Sequence, residues 1–123
     1  MALPLNLNQY PVTIANGAAL SGAVKMGADT LVGIAMPAAW TTAGITFQVS
    51  IDDGATWLEL NDDGGNNVTI TNPAGGVFIM LSNKPDYVWR GINVIKVRSG
   101  TASVPVNQTA DRVITLIGRP EIF

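Results

Sequence analysis

Cysteine and histidine are both absent from this chain of 123 residues, and charged side chains make up only 13% of it. Without thiols or imidazoles there is no disulfide, no thiol nucleophile, no His-based triad, no c-type haem attachment and no zinc ligand set. Long hydrophobic runs are missing too, because nowhere do roughly 18 apolar residues follow one another as a membrane-spanning helix requires. Positive charge is scarce: seven Lys and Arg face nine Asp and Glu, giving a net charge of -2 and a pI near 4.7. A nucleic-acid binder needs a basic stripe to displace phosphate counterions, so neither nucleic acid nor a membrane is an expected partner. The opening residues, Met1-Ala2-Leu3-Pro4-Leu5-Asn6-Leu7-Asn8, hold no Lys, no Arg and no continuous apolar run. They do not read as a secretory signal, and synthesis in the cytoplasm is expected. An average domain carries about 25% charged residues, so the surface here must be Thr, Asn, Ser, Ala and Gly, or must be covered by something else.

What is present is apolar alternation. In Ile45-Thr46-Phe47-Gln48-Val49-Ser50-Ile51-Asp52 the odd positions are apolar and the even ones polar, the pattern of a half-buried antiparallel strand. Comparable short runs occupy 12–15, 19–26, 30–36, 56–60, 68–71, 77–81, 94–98 and 112–118. Turn formers separate them: Asn16-Gly17, Asp53-Gly54, Asp63-Gly64-Gly65-Asn66, Asn72-Pro73-Ala74-Gly75-Gly76 and Ser99-Gly100. Gly and Asn accept the positive φ that tight turns demand. The Ala-rich stretch 35–43 is broken by Pro37 and Thr41-Thr42, so no helix of useful length is expected. The spacing predicts an all-β chain of roughly eight or nine strands, an antiparallel β-sandwich with a jelly-roll topology. The length suits one domain, placed over 10–119, with an extended N-terminal arm over 1–9 and a short tail over 120–123. Leu3, Leu5 and Leu7 alternate in the arm, and Ile122 and Phe123 close the tail. Such ends either fray or pack on a neighbour.

The sharpest local motif is Ser50-Ile51-Asp52-Asp53-Gly54-Ala55-Thr56-Trp57. It matches S-x-D-x-G-x-T-W, the Asp-box of sialidases and related propellers, where the motif recurs blade by blade away from the catalytic residues. Here it occurs once, in a chain too short for a propeller. Its physical reading is a hairpin clasp: Ser50 and Asp52 hold the turn, Gly54 supplies positive φ, and Thr56 and Trp57 close over it. Asp52, Asp53, Glu59, Asp62 and Asp63 form an acidic neighbourhood. Paired carboxylates can serve glycoside hydrolysis and oxygen-rich loops can hold calcium, but the loop lacks EF-hand spacing and reads as solvated turns. Trp40, Trp57, Trp89 and Tyr87 raise a sugar-stacking possibility, with Arg90 beside Trp89, against packing in a core or interface. Lys96 and Arg98 share one strand face, near Arg112 if the strands pair, and could form intersubunit ion pairs or a solvated face. No G-x-G-x-x-G or Walker loop is present, and no cofactor is expected.

Three segments together carry a wider resemblance: Ile45 to Asp52 with the Gly54 to Trp57 turn; Ile95-Lys96-Val97-Arg98-Ser99-Gly100-Thr101; and Val104-Pro105-Val106-Asn107-Gln108 leading through Ala110-Asp111-Arg112 to Arg119-Pro120. From about residue 30 onward the chain resembles small structural proteins of tailed bacteriophages and prophages. That resemblance implies a virion location, a β-sandwich or jelly roll, no catalytic residue, and a role as capsid decoration, fibre or tail component. The expected function is therefore non-enzymatic: a capsid decoration or cement protein, working as a homo-oligomer bound to the major capsid protein or other virion proteins. The alternative is a tail or fibre component, or a module that recognises host glycans. The expected interface residues are Leu3, Leu5, Leu7, Ile122 and Phe123, followed by Trp40 and Trp89.

Overall fold

A computed structural model describes residues 8–81 and 92–120 of the chain. Among the described residues every regular element is a strand: β1 (Asn8–Ile14), β2 (Val24–Lys25), β3 (Asp29–Ala35), β4 (Ile45–Ser50), β5 (Leu58–Glu59), β6 (Phe78–Met80), β7 (Val94–Ser99) and β8 (Arg112–Pro120). They form two four-stranded sheets, ordered β1-β8-β3-β6 and β2-β7-β4-β5, and every pairing is antiparallel. The all-β, antiparallel expectation is met, with eight strands among the described residues. The pairs β1·β8, β2·β7, β3·β6 and β4·β5 nest inside one another along the sequence, so the partners most distant in the chain lie together.

Period-two alternation places one residue in two towards a single apolar core drawn from both sheets. Val12, Ile14, Leu31, Ile34, Ile114 and Leu116 come from the first sheet and Ile45, Phe47, Ile95 and Val97 from the second. Met26, Met36, Val68 and Leu81 from the connections join the same cluster. Phe47, fully buried at its centre, is the largest of these side chains, and truncating it to Ala would cost about 3–5 kcal/mol.

Two expected strands come out differently. Over 19–26 only Val24–Lys25 is a strand, with a single bridge from Leu20 to Arg98. Over 68–71 there is one bridge, Ile70 to Ile45. Both runs lie where the chain passes beside a strand already paired on its other side, so alternation buries Val68 without building a ladder.

One buried amide ties the connections together. Gln108, 1% exposed, donates from Nε2 to Thr41 O (3.0 Å) and to Ser99 Oγ (2.7 Å). Its Oε1 accepts from Thr41 N (2.9 Å) and from Arg112 Nε (3.2 Å). Arg112 is thus committed on the first sheet and does not join Lys96 and Arg98, which lie on the second.

Most strand edges are short: β2 and β5 have two residues and β6 three. The seven-residue edge strand β1 contains Pro11, which has no N–H to donate. Short edges and an edge proline both discourage edge-to-edge pairing with another chain.

Candidate functional site

The β4–β5 connection is a clasp built from neighbouring residues. Ser50 Oγ donates to Asp52 Oδ1 at 2.8 Å and accepts from Gly54 N at 2.8 Å. Asp52 Oδ1 accepts from Thr56 N at 2.8 Å and Oδ2 from Thr56 Oγ1 at 2.6 Å. These bonds, led by the Thr56 hydroxyl, hold the Asp52 carboxyl down at a pKa of about 2. Asp53 and Gly54 take φ of 60° and 93°, so the turn needs the conformational freedom that Gly54 has and that Asp accepts at a modest steric cost. A Cβ on Gly54 would lie only 3.9 Å from Trp57 Cζ2, which places the indole over the turn. Lys96 Nζ covers the ring 4.4 Å from its centroid, and Lys25 Nζ meets Asp53 Oδ1 at 2.8 Å.

The outward face of the second sheet continues this polar pattern. The register places Thr46 opposite Arg98 and Gln48 between Lys96 and Glu59. Arg98, only 6% exposed, donates from Nε to Thr46 Oγ1 (3.0 Å) and from Nη1 to Glu59 Oε2 (3.0 Å), while its Nη2 engages Glu59 Oε1. Gln48 Nε2 adds a 2.9 Å bond to Glu59 Oε2, and Thr46 Oγ1 donates to Gly100 O at 2.7 Å. The forked contact with Arg98, helped by Gln48, holds the Glu59 carboxyl below the usual glutamate range. Arg98 is therefore spent inside the chain, neither solvated nor free to pair with another subunit.

The outward face of the first sheet is different in kind. Register and alternation put Phe78 and Met80 of β6, Gly33 and Ala35 of β3, and Val113 and Thr115 of β8 on this side. Phe78, Met80 and Val113 are 56%, 65% and 48% exposed. A Cβ on Gly33 would stand 2.5 Å from Phe78 Cζ, so the absence of a side chain there lets the ring lie across β3. The charged residue of these strands on this side is Arg119 at the far end of β8, which is exposed.

The residues expected to matter separate accordingly. Ser50, Asp52, Gly54, Thr56 and Trp57 meet in the clasp. Trp40 is half-buried against the core and donates its indole N–H to Ala43 O at 3.1 Å. Leu3, Leu5, Leu7, Trp89, Ile122 and Phe123, with Tyr87 and Arg90, lie outside the described residues. In the acidic neighbourhood, Asp52 holds the clasp, Asp53 pairs with Lys25 and Glu59 with Arg98. Asp62 accepts from Gly64 N (2.9 Å) and Asn66 N (3.0 Å) as an ordinary turn residue. Among the described residues no group of three or more His, Cys, Asp or Glu could hold a metal ion, and no helix is long and apolar enough to cross a membrane.

Phe78, Met80 and Val113 are not singled out by the sequence, because alternation does not say which outward face of a sheet stays uncovered. A signal was nonetheless present, since Phe78-Ile79-Met80-Leu81 and Val113-Ile114 are apolar at consecutive positions, and a strand with one wet face should alternate. Compared with family models, with curated proteins and with solved structures, the chain finds no match.

Proposed function

We propose that this chain is a non-enzymatic structural protein of a tailed-phage or prophage virion, acting as a capsid decoration or cement protein. The observation that carries the reading is the exposed apolar group Phe78, Met80 and Val113 on the first sheet's outward face, where Arg119 is the one charged residue among the described strand positions. Interface cores are depleted in charged residues and enriched in aromatic residues and Met, which matches Phe78 and Met80 on the β6 side of this face. The strand orders 1-8-3-6 and 2-7-4-5 support the finer fold reading, a β-sandwich wound as a jelly roll, in which two Greek keys nest. Jelly rolls serve many functions, so this supports the architecture and not by itself the role.

The mechanism is mechanical. A rigid domain whose polar side chains are already paired internally presents one apolar face to a neighbouring capsid protein. Association there removes apolar surface from water at about 25 cal/mol per Å², and many copies on a lattice sum modest contacts into resistance against internal pressure. Leu3, Leu5, Leu7, Ile122 and Phe123 would extend that contact. The glycan alternative loses weight because both described tryptophans are engaged, Trp40 with Ala43 and Trp57 beneath Lys96.

The test is to add the purified chain to phage heads that lack it and to measure occupancy and the temperature of genome release. Saturable binding with a raised release temperature is expected. Absence of binding to heads, with capture by tails or by a glycan surface instead, would overturn the decoration reading.

A further inference from the structure

We propose that Asn16-Gly17, the one Asn-Gly pair of the chain, is a site of intramolecular deamidation that the main-chain carbonyl of Gln108 holds closed while the fold is intact. The reaction takes water as its only co-reactant and is independent of any partner the chain binds.

Residue type makes this pair reactive. With no side chain on Gly17, its backbone nitrogen can approach the preceding Asn side chain with little hindrance. On losing its proton that nitrogen attacks Asn16 Cγ. An N–Cγ bond forms, the Cγ–Nδ2 bond breaks, and ammonia leaves a five-membered succinimide. Water then opens the ring at either carbonyl, which gives an aspartate or an isoaspartate. Asp53-Gly54 and Asp63-Gly64 offer the same ring closure, but a carboxylate is a far poorer electrophile than a neutral amide. Position adds to the reactivity, because Asn16 and Gly17 are both exposed just beyond the end of β1. Ala18 N donates to Ala15 O at 2.9 Å, and Gly17 takes a φ of 81°, as the third residue of a type II turn does.

The hydrogen bonds oppose the reaction. Gly17 N donates to Gln108 O at 2.8 Å, and Gln108 N returns a 2.9 Å bond to Ala18 O. The Gly17 N–H is thereby withheld from base, and its nitrogen is tied to Gln108. Asn16 N donates to Asp111 Oδ1 at 2.8 Å, and that carboxylate's negative charge disfavours ionising the adjacent amide. Gln108 is itself fastened by its buried side chain to Thr41, Ser99 and Arg112. The lock is therefore anchored in the packed interior, and attack requires local opening of this junction. An isoaspartate lengthens the main chain by one carbon, so the two amides no longer meet Asp111 and Gln108 in this register and the opening becomes permanent.

The full-length chain, folded in buffer or unfolded in urea at the same mildly alkaline pH, tests this when peptide mapping by mass spectrometry follows ammonia loss at each Asn. In urea Asn16 should react fastest, and folding should slow it at least about tenfold. Asp111→Ala removes one tie and the nearby charge. It should speed the folded-state reaction about twofold to tenfold, the worth of one hydrogen bond, and leave the rate in urea unchanged. The far-UV spectrum and melting curve of the variant report its folding. Amide hydrogen exchange at Gly17 in the unaltered chain is a second readout that needs no variant, and it should be slow. Faster reaction at another Asn in urea overturns Asn16 as the site. Equal rates in the folded and unfolded chain, or unprotected exchange at Gly17, overturn the lock. So does a folded Asp111→Ala chain that reacts no faster than the unaltered one.

Discussion

The outward faces of the two sheets arise from the same alternation and end opposite in character. On the second sheet Arg98 is 6% exposed, while on the first Phe78 is 56% exposed, the reverse of where a guanidinium and a phenyl ring usually lie. On the second face Arg98 and Thr46 are buried, which is stable because Thr46 and Glu59 satisfy Arg98 while Gln48 supports Glu59. A covered polar group must bring its own partners, so that face is completed within one chain. The first face has no buried polar groups demanding partners. It tolerates the exposure of Phe78, Met80 and Val113. The internal partners of Arg98 tie the second face into the fold, whereas Phe78 and Met80 leave apolar surface exposed on the first.

The most forceful way to break this comparison is Arg98→Ala. It strands Glu59 and Thr46 in a mostly covered site and should lower unfolding free energy by about 2–3 kcal/mol in urea titrations. A loss under about 0.5 kcal/mol would show that the polar face does not hold the fold.

Titration sharpens the contrast next, because the sheets should fail at opposite ends of the pH scale. Asp52 and Glu59, in and beside the β4–β5 clasp, have carboxyls depressed below their ordinary values, Asp52 to about 2. Their contribution is fully present above the ordinary carboxylate range and is lost as pH falls towards the folded-state values. On the first sheet the Tyr10 hydroxyl donates to Asp29, and that bond, with burial and the nearby negative charge, raises its pKa to about 12. Its contribution is fully present below pH 10 and lost as pH climbs through about 12. Melting temperatures across the pH range should therefore show an acid limb that Asp52→Asn flattens and an alkaline limb that Tyr10→Phe flattens. If Tyr10→Phe altered the acid limb instead, the assignment of each limb to one sheet would be wrong.

The smallest effect on folding is expected at Phe78→Ser and Met80→Ser. Both side chains are more than half exposed, so each change should shift unfolding free energy by no more than about 0.5 kcal/mol. A large loss by the same urea assay would mean that this face belongs to the fold and is not held in reserve.

The legible part of the fold follows from short-range pattern. Ile45, Phe47 and Val49 announce a core-facing strand, and the clasp can be read because Ser50, Asp52, Gly54 and Thr56 satisfy one another within a few positions. Arg98 could not be read in the same way. Glu59 and Thr46 stand 39 and 52 residues away, and no local feature separates a solvated arginine from a covered one. Gln108 is similar, since it reaches Thr41 across 67 residues. The bare face lay between these cases: consecutive apolar residues at Phe78-Ile79-Met80 signalled a strand apolar on both sides without saying what stood against the second side.

By itself the sequence determined a chain without thiol or imidazole chemistry, folded from short antiparallel strands, with one turn locked by its own side chains. Only the tertiary structure decided which outward face would be covered and which left open. Alternation assigns every residue to one side of its strand but carries no information about which sheet the strand joins. That depended on pairing β1 with β8 and β2 with β7 across most of the chain, where contacts between distant residues fix the neighbours on every side.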